Sequence, residues 1–480
     1  MSKANLPDGA RLNAIAGDLR RRAMAARTAG NRPAAVDLVR RSQLLHPGEP
    51  MLKNFEGLCL FEQDDRQGAR SAFGQTLILD PADAGAWRYI GILHFFEFRA
   101  IDARSAWRHS LALAPDSQAT IRNLLQAERQ GGHWQSAEQA GRWSLVANPQ
   151  DEAAAFDLGM LYLSLRRWSE GWPLYNRRIH MTGVKPRPDR FDLPFWDGRP
   201  DPTLRLLLWT DQNVGDEMQF AQLMPELLER VGHVTLECDP RLVPLFRRSF
   251  PSLEAVSRAD PPQVPGQFDA QLPQGNLPGL LRNSAADFTH TPTRWFKADA
   301  TDAAALRDRY RRLSGGRPVV GIAWKSANKI FKGKNIPLEH WAPILQVPDV
   351  RFLSLQYGAV TEDLATMRSL SGVEVMHDPE IDALRDLDRF AAQLEAVDLV
   401  VSISNSTIHQ ACGLGRPVWG MLHLRPDWRW GVEGDTCPWF PTLRLYRQTV
   451  RFEWRGVVAA VAQDLRSWAL SQRVAAGGPA

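Results

Sequence analysis

Residues 84–115, AGAWRYIGILHFFEFRAIDARSAWRHSLALAP, decide how the first third of the chain folds. Trp87, Gly91, Ala103, Trp107 and Pro115 stand out in this stretch, and most of them return at a fixed interval. Proline falls at Pro47, Pro81, Pro115 and Pro149, each 34 residues after the last, a register that chance rarely keeps. Twelve residues before each proline stands Ala35, Ala69, Ala103 or Ala137, and eight before three of them stand the bulky Val39, Phe73 and Trp107. Gly57, Gly91 and Gly159 share one earlier position. Small residues at a recurring place let two helices cross closely, and the proline cannot continue a helix. Each unit therefore reads as a pair of antiparallel helices.

The pattern resembles the tetratricopeptide repeat (TPR). It predicts an α-helical TPR solenoid of four to five repeats over residues 12–180. A fifth unit begins near Asp151 with Gly159 and Tyr162, carries Gly171 where the alanine belongs, and continues as GWPLYNRR, a modified terminal repeat. One unit cannot bury its apolar face alone, so stacked units form a concave groove of the kind that holds peptide; a plain spacer is the alternative, since a solenoid does not specify function. Asn54 and Asn123 stand in the first helices of their units, where such grooves grip a ligand backbone. Residues 181–203, with five prolines and two glycines, read as a Pro-rich linker. Its Phe191, Phe195 and Trp196 predict packing on a surface, because a solvated linker carries few aromatics.

From Leu204 the pattern changes. LRLLLW is an apolar strand, FAQLMPELLERVG reads as a helix, VTLEC as a strand and RLVPLFRRSF as a helix. A second set follows SGGRP: VVGIAW, a helix around Leu338 to Leu345, RFLSLQY, a helix over Arg389 to Ala396, and DLVVSIS. Alternating strands and helices predict two parallel sheets covered on both faces. The halves are residues 204–314 and 315–472, with 473–480 a disordered tail. Ligands in such folds bind beyond the carboxyl ends of the strands, so the cleft between the halves is the expected site.

Candidate residues follow from that placement. In TDQNVGDEMQF, Asp216 follows Gly215 at the start of a helix, where a carboxylate facing the cleft could take a proton from a substrate hydroxyl; a carboxylate there also caps free amides. Glu217 could do the same from one residue further in. In DLVVSISNSTIHQACGLGRPVW, a strand ends in Ser404, Asn405, Ser406 and Thr407, and the helix amides beyond them suit a phosphate. Serine and threonine are also ordinary caps. His409, one turn inside, could face the same ligand or simply pack. Lys325, Lys329, Lys332 and Lys334 crowd one loop, where cations would offset a departing diphosphate. Lys325, nearest the strand end, is the expected donor; a solvated basic loop is the alternative. Asp427, Trp428, Arg429 and Trp430 could close over a nucleotide or sugar, or hold the C-terminal segment down. Gln219 and Gln356 are supporting candidates beside Gly215, Asp427 and Trp428.

Taken together, LRLLLWTDQNVGDEMQFAQLMP, VVGIAWKSANK, FLSLQYG, DLVVSISNSTIHQACGLGRPVW, PDWRWG and CPWFP resemble bacterial proteins that join TPR units to a GT-B glycosyltransferase. That part is similar to the heptosyltransferases and, more distantly, to protein O-GlcNAc transferase. The resemblance implies an α/β GT-B fold of two Rossmann-like halves and an inverting transfer from a nucleotide-activated sugar, with no cofactor and no metal. It assigns the base to Asp216 and the diphosphate cradle to Asn405, Ser406 and Thr407. Where relatives often carry Asp-Thr, this chain has Ser404 and Asn405, which removes an acid that would repel phosphate. Some members modify flagellin, so the implied partners are an acceptor protein in the solenoid groove and a nucleotide sugar. A glycan acceptor and an inactive scaffold are the other readings.

The 480 residues, 44% apolar and 23% charged, exclude a disordered chain and a mini-protein. A net charge of +4 is too small to argue for nucleic acid. Cys59, Cys238, Cys412 and Cys437 lie far apart and form no CxxC pair, which argues against a zinc ribbon or a disulfide framework. No run of 18 uncharged apolar residues and no apolar leader appear, so a cytoplasmic protein is expected.

Overall fold

The computed structural model describes residues 9–181, 193–260, 266–326 and 332–475. The chain divides into two compact units, Met1–Leu161 and Tyr162–Ala480. In the first, helices α1 (Gly9–Thr28), α2 (Arg32–Leu45), α3 (Pro50–Glu62), α4 (Arg66–Leu79), α5 (Ala84–Phe96), α6 (Ala100–Leu113), α7 (Gln118–Gly131) and α8 (Trp134–Ala147) pack as successive pairs, and α9 (Glu152–Ser164) opens the next. This is a TPR-like helical solenoid. Ala35, Ala69, Ala103 and Ala137 are fully buried at the crossings. A Cβ on Gly57 would come within 2.7 Å of the Phe73 ring, and one on Gly91 would strike Trp107. Each large residue thus fits only because the helix before it lacks a side chain there.

The turn inside each pair repeats as strictly as the helices do. Gly30, Asp64, Phe98 and Gly132 adopt left-handed backbone with φ of 79, 62, 59 and 79°. Asn31 and Asp65 then cap the helices that follow, accepting from the amides of Ala34 and Gly68 at 3.2 and 2.9 Å, while Asp83, in the turn between repeats, caps α5 by accepting from Ala86 N at 2.7 Å. Asn54 is not open to a ligand: its amide donates to both carboxylate oxygens of Asp83 at 2.9 Å, bracing the next repeat's cap.

The second unit begins at Tyr162, ahead of position 180, where the repeat pattern places the solenoid's end. Helix α10 (Trp168–Tyr175) explains the shift. Its Trp172 packs edge-on against Trp428 and Trp439 at 5.4 and 6.0 Å, and Trp168 lies 5.0 Å from Phe288, so its apolar surface is covered by residues far down the chain. Phe191 and the rest of 182–192 lie outside the described residues. Beyond them Trp196 is buried and its amide donates to Gln271 O at 3.0 Å, whereas the Phe195 side chain is exposed, so this end of the linker packs through Trp196 alone of the two.

Strands β1 (Asp201–Trp209), β2 (Val231–Cys238), β3 (Leu253–Ser257) and β4 (Ala270–Pro273) form a parallel sheet in the order β3-β2-β1-β4. Strands β5 (Val319–Ala323), β6 (Arg351–Ser354), β7 (Leu399–Ile403), β8 (Val418–Leu422), β9 (Thr436–Cys437) and β10 (Phe440–Arg447) form a second, ordered β6-β5-β7-β8-β10-β9; only the β9–β10 pair is antiparallel. The crossovers are α11 (Val214–Phe220), α12 (Met224–Arg230), α13 (Val243–Ser249), α14 (Leu277–Leu281), α15 (Ala300–Ser314), α16 (Ala342–Leu345), α17 (Thr361–Ser371), α18 (Leu387–Glu395) and α19 (Ser406–Gly413), with α20 (Arg455–Ala475) last.

Several boundaries differ from the pattern's. FAQLMPELLERVG is interrupted: α11 ends at Phe220, and Pro225 sits in the first turn of α12. Helix α15, although it precedes position 315, packs on the second sheet's side. Its Tyr310 hydroxyl donates to Asp378 at 2.8 Å and accepts from Gln393 of α18 at 3.0 Å. Residues 473–475 complete α20, whose Val457, Val461 and Leu465 are buried in the second sheet's core; 476–480 lie outside the described residues. The two sheets' helices are tied at one seam. The amides of Trp295 and Phe296 both donate to Gly413 O at 2.8 Å, and the Trp295 indole donates to Met218 O at 3.1 Å.

Candidate functional site

The chain leaves β1 through Thr210–Asn213 and enters α11; it leaves β7 through Ser404–Asn405 and enters α19. Both helix starts lie at the carboxyl ends of central parallel strands, and α11 packs on α19. Gly215 makes that approach possible, since a Cβ there would lie 3.2 Å from the His409 ring.

Asp216 is buried and caps its own helix: its Oδ2 accepts from Asn213 N at 3.2 Å in a capping box. Its Oδ1 accepts from Arg429 Nη2. Arg429 also donates to Gln219 Oε1 at 2.6 Å and pairs with Asp427 at 3.2 Å. Burial pushes the Asp216 carboxyl above its usual range, against the opposing pull of Arg429. Glu217 turns away from this cluster. It accepts from Arg258 at 2.6 Å and from Asp239 N at 2.8 Å, fastening α11 to the end of β2, and burial lifts its pKa to about 7.

On the facing helix, Asn405 Oδ1 caps α19 by accepting from Thr407 N at 3.1 Å, and it also accepts from Ser402 Oγ at 3.1 Å. Ser404 Oγ accepts from the Trp430 indole at 3.0 Å, which ties the cap to the loop carrying Arg429. Ser406 opens the helix, less buried than its neighbours. Asn405 Nδ2, Thr407 Oγ1, His409 Nδ1 and Gln219 Nε2 are buried with no protein hydrogen-bond partner among the described residues. Orphaned polar groups of this kind are uncommon and mark places where a ligand or water completes the bonding. His409 lies between Trp430 and Phe440, with ring centroids 5.4 and 5.3 Å away. Burial, aided by Arg429 and Lys334, holds its imidazole well below the usual range, so it meets a ligand as a neutral ring.

The lysines separate. Lys325 Nζ is taken by Asp363 at 2.5 Å and the Ala359 carbonyl at 3.0 Å, beside α17 and away from Asp216. Lys334 stands in the field of Asp427, Arg429 and Asp216, and burial brings its pKa down to about 8. Lys329 lies outside the described residues. Gln356 is also a staple: its Oε1 accepts from the amides of Trp324 and Lys325 at 3.0 and 2.8 Å. Trp428 is buried against Trp172 and Tyr175, at 5.4 and 5.7 Å, so it holds α10 down instead of facing a ligand. Asp427, exposed, keeps a place beside Arg429. The structure thus joins Asp216, Gly215, Gln219, Asn405, Thr407, His409 and Asp427 and leaves Lys325, Gln356 and Trp428 outside. Sequence reasoning missed the Arg429–Asp216 pair and the choice of Lys334; the DWRW cluster carried the one signal that led toward them.

Fold and site together define a class: a TPR-like helical solenoid continued by an α/β unit whose strand ends gather an acid, an arginine, a lysine and a helix start. The chain belongs to the family of Protein FlbA of Caulobacter vibrioides, to which it is 31% identical over 480 residues, spanning 92% of this chain and 79% of that protein. No family model matches it. Among solved structures it is similar to PilF of Pseudomonas aeruginosa (13% identity, 46% of this chain and 86% of that one, TM-score 0.36). It is also similar to a MamA fragment from Desulfovibrio magneticus (16%, 34% and 92%, TM-score 0.30). Such low scores leave the helix-pair reading resting on the chain's own geometry. None of the described helices is long and apolar enough to cross a membrane.

Proposed function

We propose that the chain is an inverting GT-B glycosyltransferase that moves a sugar from a nucleotide-activated donor to a Ser or Thr hydroxyl of an acceptor protein held by the solenoid, with flagellin the candidate acceptor and the cytoplasm the setting. One observation carries the reading: Asp216 and the α19 start, from two different sheets, converge on one spot bordered by orphaned donors and two cations. In the proposed step the acceptor oxygen bonds to the anomeric carbon while its proton passes to Asp216. The bond from that carbon to the diphosphate breaks, and its electron pair stays on the phosphate oxygen. Lys334, Arg429, the α19 amides and the donors of Asn405 and Thr407 stabilise the charge that forms. No metal enters the step, so chelators should leave the rate unchanged.

The test is single-turnover transfer across a panel of nucleotide sugars, read by the mass added to the acceptor. Asp216→Asn should lower the rate by about a hundredfold or more while donor binding persists. A rate unchanged by that substitution overturns the assignment. The Arg429–Asp216 pair supports a second reading, an inactive scaffold in which the pair is purely structural. In that case nucleotide binds without turnover, and Asp216→Asn changes stability alone.

A further inference from the structure

Open parallel sheets seat ligands beyond the carboxyl ends, at the point where successive strands depart in opposite directions. In the first sheet that point lies between β1 and β4. The chain's own Arg178 fills it. Its guanidinium donates to both carboxylate oxygens of Asp211, just after β1, at 2.8 and 3.1 Å, and to Asn276 Oδ1, just after β4, at 2.8 Å. The Arg178 and Asp211 side chains are only 5% and 1% exposed. Gly275 leaves the room for this, because a Cβ there would collide with Arg178 and Gln212. Tyr175 completes the support. Its hydroxyl donates to Gln212 Oε1 at 2.8 Å, and its ring lies 4.7 Å from the Arg178 guanidinium and 5.7 Å from Trp428.

Asp211 and Gln212 belong to the short link Thr210–Asn213, whose last residue caps α11 and bonds to Asp216. We propose that Tyr175 and Arg178 are positioning residues for Asp216: the segment that reads as the tail of the repeats occupies the first sheet's ligand crevice and sets the link that aims the acid. The proposal rests on the reading of Asp216 as the base. A fork matched to a carboxylate fixes direction as well as distance, which a lysine ammonium cannot do. A misplacement of about 1 Å at a reacting group costs on the order of a hundredfold in rate.

The experiment uses the full chain with Arg178→Lys, Tyr175→Phe and, as a control, Arg282→Lys, which alters another buried arginine of the same unit, paired with Glu226. Amide hydrogen exchange of the 210–217 peptide and the kcat and KM of transfer are measured together. Exchange of that peptide should quicken about tenfold in Arg178→Lys and less in Tyr175→Phe, with β1 and β7 unchanged. The kcat should fall by about 10–100-fold at a donor KM within about twofold of the parent, and the control should move neither reading. Exchange that stays at the parent rate, or quickens across the whole unit in step, overturns the proposal. If the parent chain transfers no sugar, the glycosyltransferase reading falls, while the exchange pattern still decides whether these two residues hold the Asp216 link.

Discussion

Lys334 and Lys325 share a loop, yet only one of them can serve an anion beside Asp216. The pattern favoured Lys325 because it lies nearest the strand end, but nearness along the chain does not fix where a long side chain points. Asp363, from a helix that follows another strand, claims it. Lys334 has its charged form disfavoured, with a pKa of about 8 instead of 10.5. An anion binds the charged form, so binding of a nucleoside diphosphate should hold below pH 8 and weaken above it. Calorimetric titration across pH 6.5–9.5 checks this, and Lys334→Met should flatten the dependence and weaken binding about tenfold or more at pH 7. Glu217 has the opposite sign. Its folded pKa of about 7 exceeds the ordinary 4.5, so the stability it contributes is full below about 4.5 and is lost as pH rises through 7. In Glu217→Gln, denaturant titrations should show that loss removed. Glu217→Ala should cost about 1–3 kcal/mol at neutral pH, because the Asp239 amide loses its acceptor and Arg258, which keeps Asp239 Oδ2 at 2.8 Å, loses one of two carboxylate partners.

Among the elements, the helix pairs were the most legible part of the chain, since Pro, Ala and Gly at a fixed spacing each stand for a steric demand. The turn between the helices was not, because Asp64 and Phe98 occupy the left-handed position that Gly30 and Gly132 fill, and only the backbone reveals the shared demand. Phe98→Gly should therefore stabilise the solenoid, by about 0.5–1 kcal/mol in chemical denaturation, whereas Gly132→Phe should destabilise it by at least as much. Asn54 shows the converse limit. An asparagine in a groove-lining helix looks like a ligand contact, but its partner Asp83 belongs to the next repeat, at a distance no local pattern encodes.

At the scale of the whole molecule, the candidate site draws on residues near positions 216, 334, 405 and 429. Each half of it was readable as a strand end leading into a helix, with the cleft between the halves as the expected meeting place; the Arg429 bridge to Asp216 across it was not. The same holds for the division of the chain, since GWPLYNRR continues the repeat register while its aromatic side belongs with Trp428 and Trp439. A fragment beginning at Tyr162 should unfold cooperatively. One beginning at Met181 loses Trp168, Trp172, Tyr175 and Arg178, and should show a Tm lower by about 10 °C or more with raised dye binding at the bared tryptophans.

The seam at Gly413 bears on how any substrate would enter and leave. Phe296 packs on Phe246 and Phe250 of the first sheet's side, so swinging the second sheet away would sever two amide bonds to a single carbonyl. Any substrate of the α/β unit would therefore enter with its two sheets still riveted through the carbonyl that ends α19.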